Sequence, residues 1–346
     1  MGLTHDDMSP PAQRELIIWA VSDGRAGIEA QVRGLAEAVA RQRPATVEVK
    51  RIGWKAGLGR LPWPMMLAPR LALTAQSAIA PPWPDIWIAA GRATLPLSTR
   101  MRRWSRGRTF VVQTQDPRGR LEAYDLVVPP SHDDVVGPNV VTITGSPNRL
   151  SAEGLAADLQ RHRVRIDPLP QPRVALIVGG KSKTHDLPDA VAARLADQVA
   201  AAVSAVGGSL LLSFTRRTPA GARAIMTDRL AALPGWIWDD TGENPYFAFL
   251  AAADIIVVTE DSTNLASEAA TMGKPLYALP IAGGGRKFDR FHQGLRQLGA
   301  ERPFTGVLER WSYTPLDETN RAARELLRRF DARNSPLRRP SALASK

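Results

Sequence analysis

A chain of 346 residues, 44% of them hydrophobic and 23% charged, can bury a sizeable core, which excludes a disordered or fibrous protein and points to two domains of about 150 residues each, with a single domain as the alternative. It has no cysteine, which excludes disulfides, thiolate nucleophiles, iron–sulfur clusters and cysteine-ligated zinc, and its five histidines show no HxxxH spacing, so no metal site is expected. The net charge of +11, with arginine supplying 38 of the 45 basic residues, favours anionic partners.

Residues 1–14 are polar and acidic, expected to be flexible and unlike a secretory leader. No apolar run reaches the roughly 18 residues that cross a bilayer, so no membrane span is expected, and the lack of cysteine suits a cytoplasmic chain. Glu15 to Ser22, ELIIWAVS, reads as a strand; DGRAG follows as a glycine loop, and Ile28, Val32, Leu35 and Val39 then repeat with helical spacing. Further extended runs lie at Thr46 to Lys50, Asp85 to Gly91, Thr109 to Gln115 and Asp125 to Pro130. Strands separated by helical segments predict a parallel sheet with helices on both faces, an N-terminal Rossmann-like domain over residues 15–150. Residues 151–172 read first as a helix and then as the proline-bearing connector IDPLPQP, and are taken as the linker. RVALIVGG at Arg173 to Gly180 restarts the pattern. A helix from Asp189 to Val206, a strand from Gly208 to Thr215, a helix from Ala220 to Leu233 and a strand from Ala253 to Thr259 build a second doubly wound α/β domain over 173–315. A basic helix over 316–334 and a disordered tail over 335–346 complete the chain.

The positive charge is concentrated. From Arg41 to Arg120 there are 15 basic residues against Glu48, Asp85 and Asp116. Trp54, Trp63, Met65 and Met66 lie in this stretch, and bulky apolar groups beside arginine suit the headgroup boundary of an anionic bilayer. A solvated basic face beside ordinary core residues is the alternative. Nucleic acid is not expected as a partner, because no zinc-finger, basic-zipper or RNP-type pattern accompanies the charge.

The most informative stretch is FLAAADIIVVTEDSTNLASEAATMGKPLYALP, Phe249 to Pro280. It places Glu260, Asp261, Ser262 and Thr263 after a strand and at the start of a helix, where open α/β sheets bind ligands and unpaired N–H groups face anions. Ser262 and Thr263 would meet a diphosphate, and Glu268 would accept from a ribose diol. The plainer alternative is that Ser262 caps the helix and Glu268 is a solvated acid.

The pattern T-E-D-S-x-N-x-x-S-E-A-x-x-x-G-K-P, which includes Ser267, resembles the donor-nucleotide motif of GT-B glycosyltransferases. With SDGRAG, SFTRRTP at Ser213 to Pro219, NPYFAFLAAAD and KFDRFHQGLRQLGAERPF at Lys287 to Phe304, the chain resembles the plant-type "elongated mitochondria" fission proteins and their bacterial homologues over nearly its full length. The resemblance implies two Rossmann-like domains facing a cleft and a glycosyltransferase with a nucleotide sugar as co-substrate and no cofactor. It also implies an alternative, a non-catalytic scaffold that recruits a protein to a membrane surface. The arginine- and alanine-rich composition suits a bacterial chain.

Other candidates follow. Gly180 and Lys183 lie in a glycine loop after a strand, and Arg216 and Arg217 offer paired guanidinium groups to a phosphate. Lys287, Arg290 and His292 follow a glycine-rich segment that could bend over a donor. The loop with Gly24, Arg25 and Gly27 points into the expected cleft, and Asp23 is the first choice for the base that takes the acceptor proton. His132 is the second choice and Asp116 the third, although each also reads as a turn residue. No DxD pair is present, so cationic side chains rather than a metal would stabilise the leaving diphosphate. The acceptor would be an anionic or lipid-linked glycan, met by peripheral contact with the cytoplasmic face of the inner membrane. A nucleotide-sugar epimerase of Rossmann type would want G-x-G-x-x-G after the first strand, and DGRAGIEA does not supply it. The sequence specifies no oligomeric state.

Overall fold

The computed structural model describes residues 14–60 and 65–335. The expected flexible start and the disordered tail therefore fall, but for their last and first residue, outside the described residues, as does Trp63.

Two all-parallel sheets organise the chain. The first has the order β2-β1-β3-β4-β5, built from β1 (Leu16–Ser22), β2 (Ala45–Arg51), β3 (Ile86–Ala89), β4 (Phe110–Gln113) and β5 (Leu126–Val127). Its central strands β3 and β4 are buried at every position, as expected of a sheet covered on both faces. On one face α1 (Ala26–Gln42) packs Val32, Leu35 and Val39 against Ile18, Ile86 and Ile88; on the other, α2 (Leu95–Trp104) packs Leu97 and Met101 near Trp87 and Val111.

The second sheet has the order β13-β11-β10-β6-β8-β9. Its strands are β6 (Arg173–Val178), β8 (Ser209–Phe214), β9 (Gly235–Ile237), β10 (Ile255–Thr259), β11 (Leu276–Leu279) and β13 (Glu301–Pro303). Short β7 (His185–Asp186) and β12 (Ala282–Gly283) pair antiparallel beside it. Helices α4 (Asp189–Ala205) and α5 (Ala220–Leu230) cover one face, and α6 (Tyr246–Ala252), α7 (Thr263–Thr271) and α8 (Arg286–Gln297) contribute to the core on the other.

Two segments differ from the sequence reading. Residues 151–172 are not a free linker: α3 (Ala152–Ile166), capped by Ser151 accepting from the Gly154 N–H, buries Ile166 and half-buries Leu155 and Leu159 in the second core beside Phe249. The C-terminal helix α9 (Glu318–Asn334) crosses back to the first domain, where Ala322, Ala323, Leu326 and Phe330 join the core of α1 and Phe110. Its basic face was legible in sequence, but its apolar stripe needed a partner 280 residues earlier. Among the described residues no helix is long and apolar enough to cross a membrane.

Candidate functional site between the two sheets

Both sheets turn their carboxyl ends toward one cleft. β1 runs into the Asp23–Gly27 loop and the start of α1, β8 into Thr215, Arg216 and Arg217, and β10 into Ser262 and the start of α7. These segments enclose a cavity of about 700 Å3, lined further by Ala30, Asn264, Leu265 and Glu268. Two helix N-termini, those of α1 and α7, thus face the same space, each offering backbone N–H groups to an anion.

On the first-domain side, Gly24 takes φ +80°, which lets the chain turn sharply out of β1. The Asp23 carboxylate accepts from the Arg25 backbone N–H at 3.2 Å and from Arg25 Nε at 2.8 Å, so the arginine fixes its orientation at the cavity wall. Gly27 lies under Asn264, whose Nδ2 donates to the Gly27 carbonyl at 3.0 Å.

On the second-domain side, Ser262 caps α7 by accepting from the Leu265 N–H. Arg216 is exposed in the cavity. Arg217 is drawn to Asp261, whose buried carboxylate also accepts from the Gly180 N–H; the ion pair is 2.6 Å long. Asp261 Oδ1 is buried without a partner, 2.3 Å from where a Cβ on Gly179 would lie, so the glycine makes room for the carboxylate. Glu268 lies at the cavity wall with its carboxyl buried, and burial raises its pKa to about 7 even though the Tyr246 hydroxyl donates to it and Arg149 attracts its charge.

Several expected site residues lie elsewhere. His132 is not a cleft residue: it is buried beside Phe291 at the domain junction, and burial drives its pKa down to about 4. Buried at the junction and absent from the cavity wall, it is not placed to take an acceptor proton. Ser267 is buried, with its hydroxyl donating to the Thr263 carbonyl and accepting from the Ser146 N–H, so it joins the domains rather than facing a ligand. Lys287 and Arg290 reach across to Asp133 and Asp134 of the first domain instead of folding over the cavity. Gly180 and Glu260 are engaged by Asp261 and by the Ile281 N–H, while exposed Lys183 and half-buried Thr263 do not line the cavity. Asp116 accepts from the Arg118 N–H and holds a turn.

His292 is buried with both ring nitrogens facing acceptors, Glu301 Oε2 at 2.6 Å and the Glu260 carbonyl at 2.9 Å. Against a Glu301 carboxylate, both ring nitrogens donate and the ring is the imidazolium. Burial opposes the charge, but the hydrogen bond and attraction of Glu301 outweigh it and raise the pKa. His292 pins α8 to the ends of β10 and β13.

Asn264, the asparagine of the T-E-D-S-x-N pattern, is the hub between the domains. Besides Gly27, its Oδ1 accepts from Gln31 Nε2 at 2.9 Å and from Ser146 Oγ at 2.8 Å. Tyr246 lies in NPYFAFL, 22 residues before Glu268, a separation that carries no local signal of their contact.

In the basic stretch, Met66 is buried and Trp54 half-buried in a bridge to Leu73, so neither presents an exposed face. Met65 is exposed.

The family model for mitochondrial fission ELM1 matches residues 26–330. The mitochondrial fission protein ELM1 of Arabidopsis thaliana is 31% identical over 282 residues, 74% of this chain and 66% of the plant protein, so the chain spans just under two thirds of that relative's length. An uncharacterised Rickettsia prowazekii protein is 26% identical, covering 88% of this chain and 96% of its own. Among solved structures, UDP-GlcNAc 2-epimerase from Methanocaldococcus jannaschii superposes with TM-score 0.53 at 11% identity, covering 91% of this chain and 100% of that one. A Listeria monocytogenes protein described as a UDP-N-acetylglucosamine 2-epimerase gives TM-score 0.53 at 13% identity, covering 96% and 100%. Two doubly wound domains opening on a shared cleft, with the family match running through both, establish that the chain belongs to the mitochondrial fission ELM1 family and has the GT-B fold.

Proposed function

We propose that the cleft binds a nucleotide sugar and that the protein is a GT-B-type glycosyltransferase. The observation that carries this reading is the convergence of Asp23, Arg216, Ser262 and Glu268 on one cavity of about 700 Å3, a volume suited to a small organic ligand. The α7 N-terminus and Arg216 would hold the diphosphate and stabilise it as it leaves. Glu268 would accept from the ribose hydroxyls. Asp23, on the facing domain, would take the proton of an anionic or lipid-linked glycan hydroxyl as the sugar is transferred. The protein would work in the cytoplasm or at its membrane face.

The test is calorimetry of the purified chain against UDP, GDP, CDP, ADP, dTDP and CMP, with Glu268→Ala as control. UDP heads the series because the two solved structures reported above are named for a UDP sugar. One nucleotide should bind and the variant should lose it. If none binds at millimolar concentration, the transferase reading fails and the family's scaffold reading replaces it. Fold alone does not choose between transfer and epimerisation; conversion of the nucleotide sugar without any acceptor would identify an epimerase.

A further inference from the structure

A second cavity, of about 640 Å3, lies on the first domain beside α2, on the sheet face opposite α1. Its wall includes Arg70, Arg100 and Arg103 together with Trp104. Among the described residues no carboxylate pairs with any of these three arginines; Arg100 Nη1 donates only to the Pro96 carbonyl, and Arg70 stacks over Trp83 and Trp104 at 5.2 and 5.6 Å. Burial, followed by repulsion from Arg103 and Arg120, lowers the Arg100 pKa.

Met65, Leu67 and Leu71 stand at the same place, 65%, 83% and 77% exposed. Leu67 and Leu71 line the cavity themselves. Other exposed large apolar residues, such as Val136, Val164 and Leu298, are scattered singly, which is ordinary for a soluble surface. Three within seven residues, beside unpaired guanidinium groups, form an amphipathic crest.

We propose that this face seats the first domain on an anionic phospholipid bilayer, with lipid phosphates entering the arginine-lined cavity while Met65, Leu67 and Leu71 enter the headgroup boundary. Charge complementarity selects the occupant: among the described residues the cavity offers guanidinium groups and no carboxylate, and the apolar crest excludes a small soluble anion as the whole ligand. The inference does not depend on the nucleotide reading, because the two cavities have no described residue in common.

Sedimentation of the full chain with vesicles tests it. The protein should pellet with equimolar phosphatidylcholine and phosphatidylglycerol and stay in solution with phosphatidylcholine alone. Leu67→Ser with Leu71→Ser, and separately Arg70→Glu with Arg103→Glu, should each weaken binding to the anionic vesicles at least about tenfold. All four side chains are exposed, so unchanged thermal melting and an unchanged circular-dichroism spectrum would show that the fold is intact. Undiminished pelleting of both variants would overturn the proposal. So would displacement of the protein from vesicles by millimolar inorganic phosphate, which would make this a soluble-phosphate site. If the leucine variant instead lowers the mass of the free protein in analytical ultracentrifugation and leaves pelleting unchanged, the crest is a contact between copies and the membrane assignment is wrong.

Discussion

The Tyr246 hydroxyl donates to Oε2 of Glu268, which joins α6 to α7 at the wall of the interdomain cavity. The bond gives a buried carboxyl a donor while leaving its pKa at about 7, because desolvation outweighs the hydrogen bond. A ligand hydroxyl donating to Glu268 would favour the ionised form. Nucleotide affinity should therefore rise about tenfold from pH 6 to pH 8 through this group, and that part of the rise should vanish in Glu268→Gln. In Tyr246→Phe the lost donor should move the midpoint upward. Calorimetric titration across that range measures both, and a wild-type profile identical to that of Glu268→Gln would remove Glu268 from the site.

The same residue governs part of the stability. Its pKa is raised from an ordinary 4.5 to about 7, so the folded state holds the proton more tightly than the unfolded chain. Its contribution is complete below about pH 4.5 and is lost as pH rises through about 7. His292 acts in the same direction, present in full below its ordinary 6.5 and lost as pH rises through its elevated value. Thermal melts of Glu268→Gln should show a shallower decline over pH 5 to 7 than wild type.

The Asp23 carboxylate is held at the cavity wall by the Arg25 backbone N–H and side chain. Asp23→Asn should keep nucleotide affinity within about twofold and lower transfer by at least about a hundredfold. Undiminished turnover would exclude it as the base.

Asn264 makes three hydrogen bonds to the first domain, through Gly27, Gln31 and Ser146. Asn264→Ala should cost about 2–3 kcal/mol in chemical denaturation. Small-angle scattering should show a wider cleft. By contrast, Lys287→Ala, whose partner Asp133 is reached by an exposed ammonium, should cost no more than about 1 kcal/mol.

Gly145 takes φ +81°, and a Cβ there would lie 2.0 Å from Ser267 Oγ at the domain junction. Gly145→Ala should destabilise by about 2–4 kcal/mol, since neither the backbone nor the buried hydroxyl can yield. A melting temperature equal to wild type would show that the junction is looser than its contacts indicate.

Much of this architecture is local and was legible in residue order. ELIIWAVS followed by a glycine loop and a helical repeat reads as strand, turn and helix because side-chain periodicity and glycine's conformational freedom act within a few residues. The TEDST turn reads as a strand end and helix cap for the same reason, and Ser262 does cap α7. Which polar groups share a cavity is a different matter. His132 and Asp23 look alike as candidates in a linear chain, yet packing against Phe291 buries one and the β1 turn opens the other to the cleft. Lys287 and Arg290 have a basic helix's ordinary appearance, and only the approach of Asp133 and Asp134 turns them into interdomain contacts. The return of α9 to a sheet begun some 300 residues earlier, the Tyr246 to Glu268 contact and the Asn264 hub were decided by tertiary structure alone, because burial and hydrogen-bond partners separated by many residues leave no period in the sequence.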